Sequence, residues 1–372
     1  MNRFRISRRA LLLSAAAAAG CARRKATRFP GYCFVANQGG RTVGVVDLTV
    51  FRVRKEIPLD AAPTAVVAHP SKPKVLVLAP EIGTVYEIAA DSLSVARKVR
   101  AGNQAIEMRL SPAGDALWVL YADPAALVEL PLDSLKPRRR IALPLQPDGF
   151  DLSALGHAAI SSTKDRRILL ASMTSGEIAT TIAAGDQPSL VRFQFDGKQL
   201  IAASGPERCV TIFDVPAGRK VVRLPVPLEP RQLAFTSDGG QLFLTGAGMD
   251  AVVVVYPYET EVAQTLLAGR APGAMALTDG SPQFLLVANP DTNGLTVLDV
   301  DTGRLVALVQ VGQEPRGIVV TPDNQYALVL NEKSGDLAVV RMASLAMRRY
   351  PTPLFTMIPV GERPVSAAVL PL

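Results

Sequence analysis

The chain has 372 residues, enough for two ordinary domains or one large repeat array. Its 40 Lys+Arg and 33 Asp+Glu give a formal charge of +7, yet eight of the basic groups precede residue 29 with no acid among them, and a body left near neutrality argues against nucleic-acid binding. With 48% hydrophobic and 20% charged residues the composition excludes disorder; three cysteines exclude a disulfide framework, and two histidines leave little for a histidine-built metal site.

The first segment reads as an export signal. Residues 1–9 are a basic leader, and residues 10–20 are an apolar run too short to span a bilayer. Ser7, Arg8, Arg9, Ala10, Leu11 and Leu12 resemble the twin-arginine motif S-R-R-x-F-L, with Leu11 in place of Phe. A general secretory signal with a chance arginine pair is the alternative. Residues 18–21, A-A-G-C, resemble the bacterial lipobox L-A-G-C, with Ala18 in place of Leu. That resemblance implies a lipidated Cys21, a tether over 21–30, and a mature protein held at a membrane surface. Cleavage among residues 15–20, leaving Cys21 unmodified, is the alternative. No later segment is apolar for long enough to cross a membrane. The expected address is exported, periplasmic or cell-surface, and membrane-anchored.

Residues 31–372 read as one repeat. Pro63, Ala105, Pro147, Pro188, Pro230, Pro272, Pro315 and Pro364 mark its units, and four of them close a G-x-x-P at 185–188, 269–272, 312–315 and 361–364. Spacing this regular means a solenoid or a propeller. After Pro272 the pattern is four strands, 274–277, 284–288, 295–299 and 305–311, with Gly, Pro, Asn and Asp at the turns between them. Such units fit a propeller blade. First strands are expected at 65–68, 107–110, 150–152, 190–193, 232–235, 274–277, 317–320 and 366–370. Residues 33–59 supply only second, third and fourth strands, and 366–370 only a first, so both termini combine into one blade. The expected fold is an all-β propeller of eight four-stranded antiparallel blades closed by that composite blade. Seven blades plus an irregular segment 150–189 is the alternative.

The letters carry a resemblance. Val35, Ala36 and Asn37 before T-V-G-V-V-D at 42–47, Val287, Ala288 and Asn289 before L-T-V-L-D at 295–299, and Val329, Leu330 and Asn331 after Thr321, Pro322 and Asp323 resemble the YVTN repeat. The likeness covers residues 33–372 and is weakest over 150–189. It implies a bacterial exported or surface propeller of a family that mostly serves as a binding scaffold.

Several chemistries lack their motifs. There is no C-x-x-C-H for covalent haem, no D-x-D-x-D-G calcium loop, and one tryptophan, Trp118. Asp47, Asp214 and Asp299 recur at third-strand ends and read as turn caps, and His69 takes the turn slot of Ser111 and Thr321. His157 has no companion in sequence. Cys33 and Cys209 fall four blades apart and are expected as separate buried thiols.

Two features remain as candidate sites. On the inner strands, equivalent positions hold Arg109, Asp151 and Arg192 in consecutive blades, whereas the others hold Val67, Ala234, Ala276, Val319 and Ala368. Glu107 shares a strand face with Arg109, and Asp148, Arg231 and Arg316 follow the unit prolines. These charges are expected to converge near one channel mouth. Arg109, Asp151, Arg192, Arg231 and Arg316 then form a candidate anion site, with a self-paired Arg–Asp–Arg plug as the alternative. On the outer strands, Arg52, Arg54, Lys55, Arg97, Lys98, Arg100, Lys136 and residues 138–140 form a basic arc. It reads as a contact for anionic lipid or an acidic partner, or as charge that blocks edge pairing. The last unit is extended over 342–359, with Met347, Tyr350, Pro351, Pro353, Phe355 and Met357; it reads as a docking loop or as cover for its own blade.

The leading reading is a non-catalytic extracytoplasmic lipoprotein, a monomer without cofactor, that binds a protein or a small anionic ligand. One alternative is a tetrapyrrole-binding or redox propeller, by analogy with the haem d1 domain that YVTN repeats resemble; it needs a histidine near the channel, and only His69 and His157 exist. The other is a lactonase-like hydrolase, which needs an acid–base constellation not visible in the sequence.

Overall fold

A computed structural model of the chain describes residues 28–346 and 352–372. The expected signal, Cys21 and most of the tether lie outside the described residues, as do Met347, Tyr350 and Pro351.

The described chain forms eight four-stranded antiparallel sheets. Blade 1 runs from an outer strand Arg52–Pro58 through Thr42–Asp47 and Gly31–Asn37 to an innermost strand from the C-terminus, Pro364–Pro371. Blades 2 to 8 follow in chain order, each laid down from the inside outward. Their innermost strands are Ala65–Ala68, Gln104–Leu110, Gly149–Leu152, Leu190–Phe193, Glu229–Phe235, Met275–Leu277 and Pro315–Val320. Among the described residues, helix is confined to Ala343–Ala346 and two 3-10 turns. Residues 149–183, where the repeat letters fade, still form a regular blade of Gly149–Leu152, His157–Ser162, Arg167–Ser172 and Ile178–Ala183. The count is therefore eight, not seven.

The ring closes as the strand arithmetic requires. Gly31 pairs with Pro371 and Cys33 with Val369. Apolar side chains of blade 1 pack on both neighbours: Phe34, Val43 and Val45 meet Val75, Val77 and Tyr86 of blade 2, while Cys33 and Val46 meet Leu328 and Leu337 of blade 8. Middle strands covered on both faces are buried throughout, as in Phe284–Asn289, and solvent-edged outer strands such as Ser94–Arg100 alternate. Where sequence places an innermost strand's start after its proline, some strands begin at or before it and absorb the difference in a β-bulge, as between Pro230 and Gln232. A residue without an N–H is tolerated at such a break in the ladder.

The repeat letters have a steric meaning. Asn37, Asn289 and Asn331 end second strands, fully buried, and donate to Val360 O (2.6 Å), Thr296 Oγ1 (2.8 Å) and Asp336 Oδ1 (2.7 Å) respectively. The glycine of a G-x-x-P loop lies against each asparagine. A Cβ on Gly269 would stand 2.5 Å from Asn289 Cγ, and one on Gly312 would stand 2.6 Å from Asn331 Nδ2. No larger residue fits beside the amide.

The ring has two faces. On the upper face innermost strands start and second-to-third-strand loops turn; on the lower face lie first-to-second and third-to-fourth turns. The lower turns are held by side chains. Thr236, Thr278 and Thr321 Oγ1 accept backbone N–H groups at 3.0, 2.8 and 3.0 Å, and His69 Nδ1 accepts those of Ser71 and Lys72 at 3.2 Å. His69 is thus a turn residue, and burial lowers its pKa below the usual imidazole range. Asp47, Asp214 and Asp299 likewise accept turn N–H groups at 2.8 Å. Cys33 and Cys209 are both buried and free.

Candidate functional site: an arginine-lined cavity at the channel mouth

A cavity of about 670 Å³ opens on the upper face between blades 6 and 7. Its walls come from loops that the repeat places side by side. Residues 246–250, G-A-G-M-D, join the second and third strands of blade 6, and residues 270–274 lead into blade 7. Blade 6 departs from the asparagine pattern: Gly246 stands where Asn331 stands in blade 8, and Oγ1 of the preceding Thr245 donates to Gly273 O at 2.6 Å. Asp250 Oδ1 accepts the Ala271 N–H at 3.0 Å, so the two loops are tied together. Gly246, Gly248 and Gly273 leave parts of that wall as bare backbone.

Three guanidinium groups line this cavity: Arg231, Arg270 and Arg316. Arg316 is already held, with Nε 2.9 Å from Glu332 Oε2 and Nη2 3.6 Å from Glu314 Oε2. Arg231 and Arg270 are exposed, and among the described residues neither side chain has an ion-pair or hydrogen-bond partner. The lining includes Asp250 and Asp291 but no His, Ser, Thr, Tyr, Cys or Lys. Sequence reasoning found Arg231 and Arg316 but missed Arg270, an unconstrained position of a G-x-x-P loop. The available signal was the G-A-G-M-D departure at 246–250.

The other three candidates lie elsewhere. Arg109, Asp151 and Arg192 sit farther along the inner strands and do not line the cavity. Innermost strands present unpaired peptide groups to the channel, and these side chains satisfy some of them. Arg109 Nε donates to Phe150 O at 2.9 Å, Arg192 Nη1 to Val191 O at 2.8 Å, and Asp151 Oδ2 accepts the Phe193 N–H at 2.7 Å. Arg109 Nη2 lies 2.5 Å from Glu107 Oε1, and its Nη1 lies 3.7 Å from Asp151 Oδ1. Arg192 has no carboxylate within ion-pair distance among the described residues. Burial, and then the charge of Arg109, lowers its pKa. Asp148 turns to its own blade and accepts the Thr163 N–H at 2.6 Å. The charges thus divide into a mouth group and a Glu–Arg–Asp channel group with Arg192 beside it.

The basic arc is partly neutralised from within. Buried Glu87 pairs with Lys74 (2.9 Å) and Arg97 (2.5 Å), and buried Glu129 pairs with Arg138 and with Arg139 at 3.2 Å. Phe355, in the extended last unit, packs edge-on against Phe51 of blade 1 with centroids 5.1 Å apart, and Arg341 lies 4.4 Å over its ring. Both histidines fall toward the lower face, at the end of the ring opposite the cavity. No group of three or more potential metal-ligating His, Cys, Asp or Glu occurs among the described residues.

No protein-family model matches the chain. Over 145 residues it is 25% identical to the seven-bladed β-propeller protein Rv1057 of Mycobacterium tuberculosis, a match spanning 38% of this chain and only 37% of that protein. Among solved structures it is similar to dihydro-haem d1 dehydrogenase NirN in complex with DHE, with TM-score 0.76 and 16% identity over 91% of this chain and 74% of that one. It is also similar to Kuenenia stuttgartiensis hydrazine synthase, with TM-score 0.60 and 19% identity over 76% of this chain and 96% of that one. A functionally unknown protein from Desulfotomaculum acetoxidans matches with TM-score 0.62 and 14% identity over 77% of this chain and 97% of that one. At these identities the structural likeness establishes the propeller fold alone.

Proposed function

We propose that this propeller is an extracytoplasmic binding protein, anchored by lipid at Cys21, whose upper cavity takes a small molecule bearing at least two carboxylate or phosphate groups. One observation carries the reading: Arg231 and Arg270 reach one cavity with their donors uncommitted. Guanidinium forks match such groups bidentately, and about 670 Å³ lies within the size range of small-molecule sites. Arg316, held by Glu332, supplies a fixed third charge. The lining offers no Ser, Cys or His, which favours binding over acyl-transfer chemistry. The chain joins the ring at Gly31, paired with Pro371 on the lower face, so a lipid at Cys21 would leave the cavity facing water.

Citrate and pyrophosphate are suitable probes. Calorimetric titration of the full chain should give saturable binding that the Arg231→Ala/Arg270→Ala pair abolishes without lowering Tm; equal binding by that variant refutes the site. The address is tested separately: Cys21→Ala should move the protein from the membrane fraction to the soluble exported fraction, and unchanged partition removes lipid as the sole anchor.

The NirN complex supports a second reading, with a tetrapyrrole as ligand. Arg231 and Arg270 suit its carboxylates, but the cavity offers no imidazole for a central iron. Such a ligand would be held by its acidic edge. A porphyrin titration read by visible absorption, on wild type and on Arg231→Ala/Arg270→Ala, tests this reading.

A further inference from the structure

Among the described residues four large apolar side chains are exposed in turns, Val50, Leu155, Phe195 and Tyr258, and all four belong to the lower face; Leu372 lies beside the same face, whereas Leu267 ends an outer strand at the upper face. Three make one patch across blades 4, 5 and 6: Leu155 is 56% exposed, Phe195 75% and Tyr258 54%. A Cβ on Gly197, in the turn of Phe195, would stand 3.1 Å from Leu155 Cγ. One on Gly239 would stand 3.1 Å from Phe195 Cβ and 3.5 Å from Tyr258 Oη. Turn tips need no such residues to fold, and an apolar patch maintained in water marks a contact.

The chain also joins the ring on this face. Leu372 N–H donates to Pro30 O at 3.1 Å, Phe29 is buried, and Arg28 is exposed. Cys21 precedes Arg28 by seven residues, which reach about 25 Å at most when extended. A lipid on Cys21 therefore keeps the lower face close to the bilayer. Charge selects the kind of bilayer. Asp47, Asp196, Asp214, Asp238, Asp299 and Asp323 are fixed in lower-face turns by the N–H groups they accept. An anionic leaflet attracts the tether at Arg23, Arg24, Lys25 and Arg28 but repels the turns of the face itself.

We propose that the lower face docks on a zwitterionic lipid surface, with Leu155, Phe195 and Tyr258 seated in the interfacial layer. The inference rests on export and lipidation at Cys21, which bring this face to the membrane. Aromatic rings favour that layer.

The test uses the mature chain, residues 21–372, with Cys21→Ser and with Arg23, Arg24 and Lys25 changed to Ser, which has neither lipid nor a strongly basic tether, floated with phosphatidylcholine vesicles. It should co-float, and adding Phe195→Ser and Tyr258→Ser should weaken binding about tenfold. Leu308→Ser, on an exposed outer strand, should leave binding unchanged. Phosphatidylglycerol in the vesicles should weaken it. Absence of flotation, indifference to the Phe195 and Tyr258 changes, or tighter binding to anionic vesicles overturns the proposal. So does a Phe195-dependent dimer that forms without vesicles and abolishes flotation. The partition of Cys21→Ala in cells reports on the anchor alone, so failure of the anchor and failure of the patch are distinguishable.

Discussion

Gln194 breaks a rule that the rest of the ring keeps, and Gln194→Thr should stabilise the protein. In blades 6, 7 and 8 the equivalent residue is threonine, whose hydroxyl accepts a turn N–H at 2.8 to 3.0 Å. In blade 3, Ser111 Oγ accepts two such groups, from Asp115 and Ala116, each at 3.1 Å. The blade 5 turn has the same backbone: Gly197 N–H donates to Gln194 O at 2.8 Å, as Gly239 N–H donates to Thr236 O at 2.9 Å. Gln194 is only 2% exposed, however, and both its Oε1 and Nε2 lack a partner. Leaving the one amide group buried and unpaired costs about 1–3 kcal/mol, and the new hydroxyl bond contributes about 1 kcal/mol. The shorter side chain leaves a void worth about 1–2 kcal/mol in the opposite direction. The net expectation is a gain of about 1–2 kcal/mol. At about 2.1 cal/mol/K per residue, that raises the Tm of a ring this size by roughly 1–3 °C. Differential scanning calorimetry, supported by urea midpoints at constant m, reads the change. A Tm at or below wild type refutes the argument and means that the native protein already satisfies the amide.

Three further outcomes follow from the ring and its channel. Asp151→Asn keeps an acceptor for the Phe193 N–H but removes the negative charge beside Arg109 and near Arg192, so urea stability should fall by about 1–2 kcal/mol; an unchanged midpoint would show that the channel charges do not depend on it. Deleting residues 366–372 strips Ala368, Val369 and Leu370 from the blade 1 interfaces and exposes the edge of Gly31–Asn37, so more than about 4 kcal/mol should be lost; wild-type melting would place the closure of the ring elsewhere. Gly269→Ala should cost about 2–3 kcal/mol because its Cβ meets Asn289, whereas Gly185→Ala, with open space but a φ of +76°, should cost about 1 kcal/mol; a loss at Gly269 no larger than that at Gly185 would show that Asn289 moves aside.

The sequence by itself determined the architecture. Proline spacing, four short strands per unit and the mismatch between residues 33–59 and 366–370 lead to eight blades and a composite closure. Each of these is a local pattern whose only stable solution is burial between identical neighbours. Local chemistry was equally legible where a residue acts within its own turn, as His69, Asp214 and Asp299 do. Tertiary structure alone decided which charges meet. Arg231 and Arg316 stand 85 residues apart, and only ring geometry brings them to one cavity. Arg270 joins them there because two loops of different blades are tied by Asp250 and Thr245. The Arg–Asp–Arg set meets only in part for the same reason: Arg109 reaches Asp151 at 3.7 Å, and Arg192 makes no ion pair with it. A side chain on an inner strand chooses among its own backbone, the neighbouring blade's carbonyl and a carboxylate two residues away, and Arg109 took Glu107 and Phe150 O while Arg192 took Val191 O. Periodicity fixes which residue comes to each place in a blade, but the partner across a blade interface is set by distances of a few ångströms that no period contains.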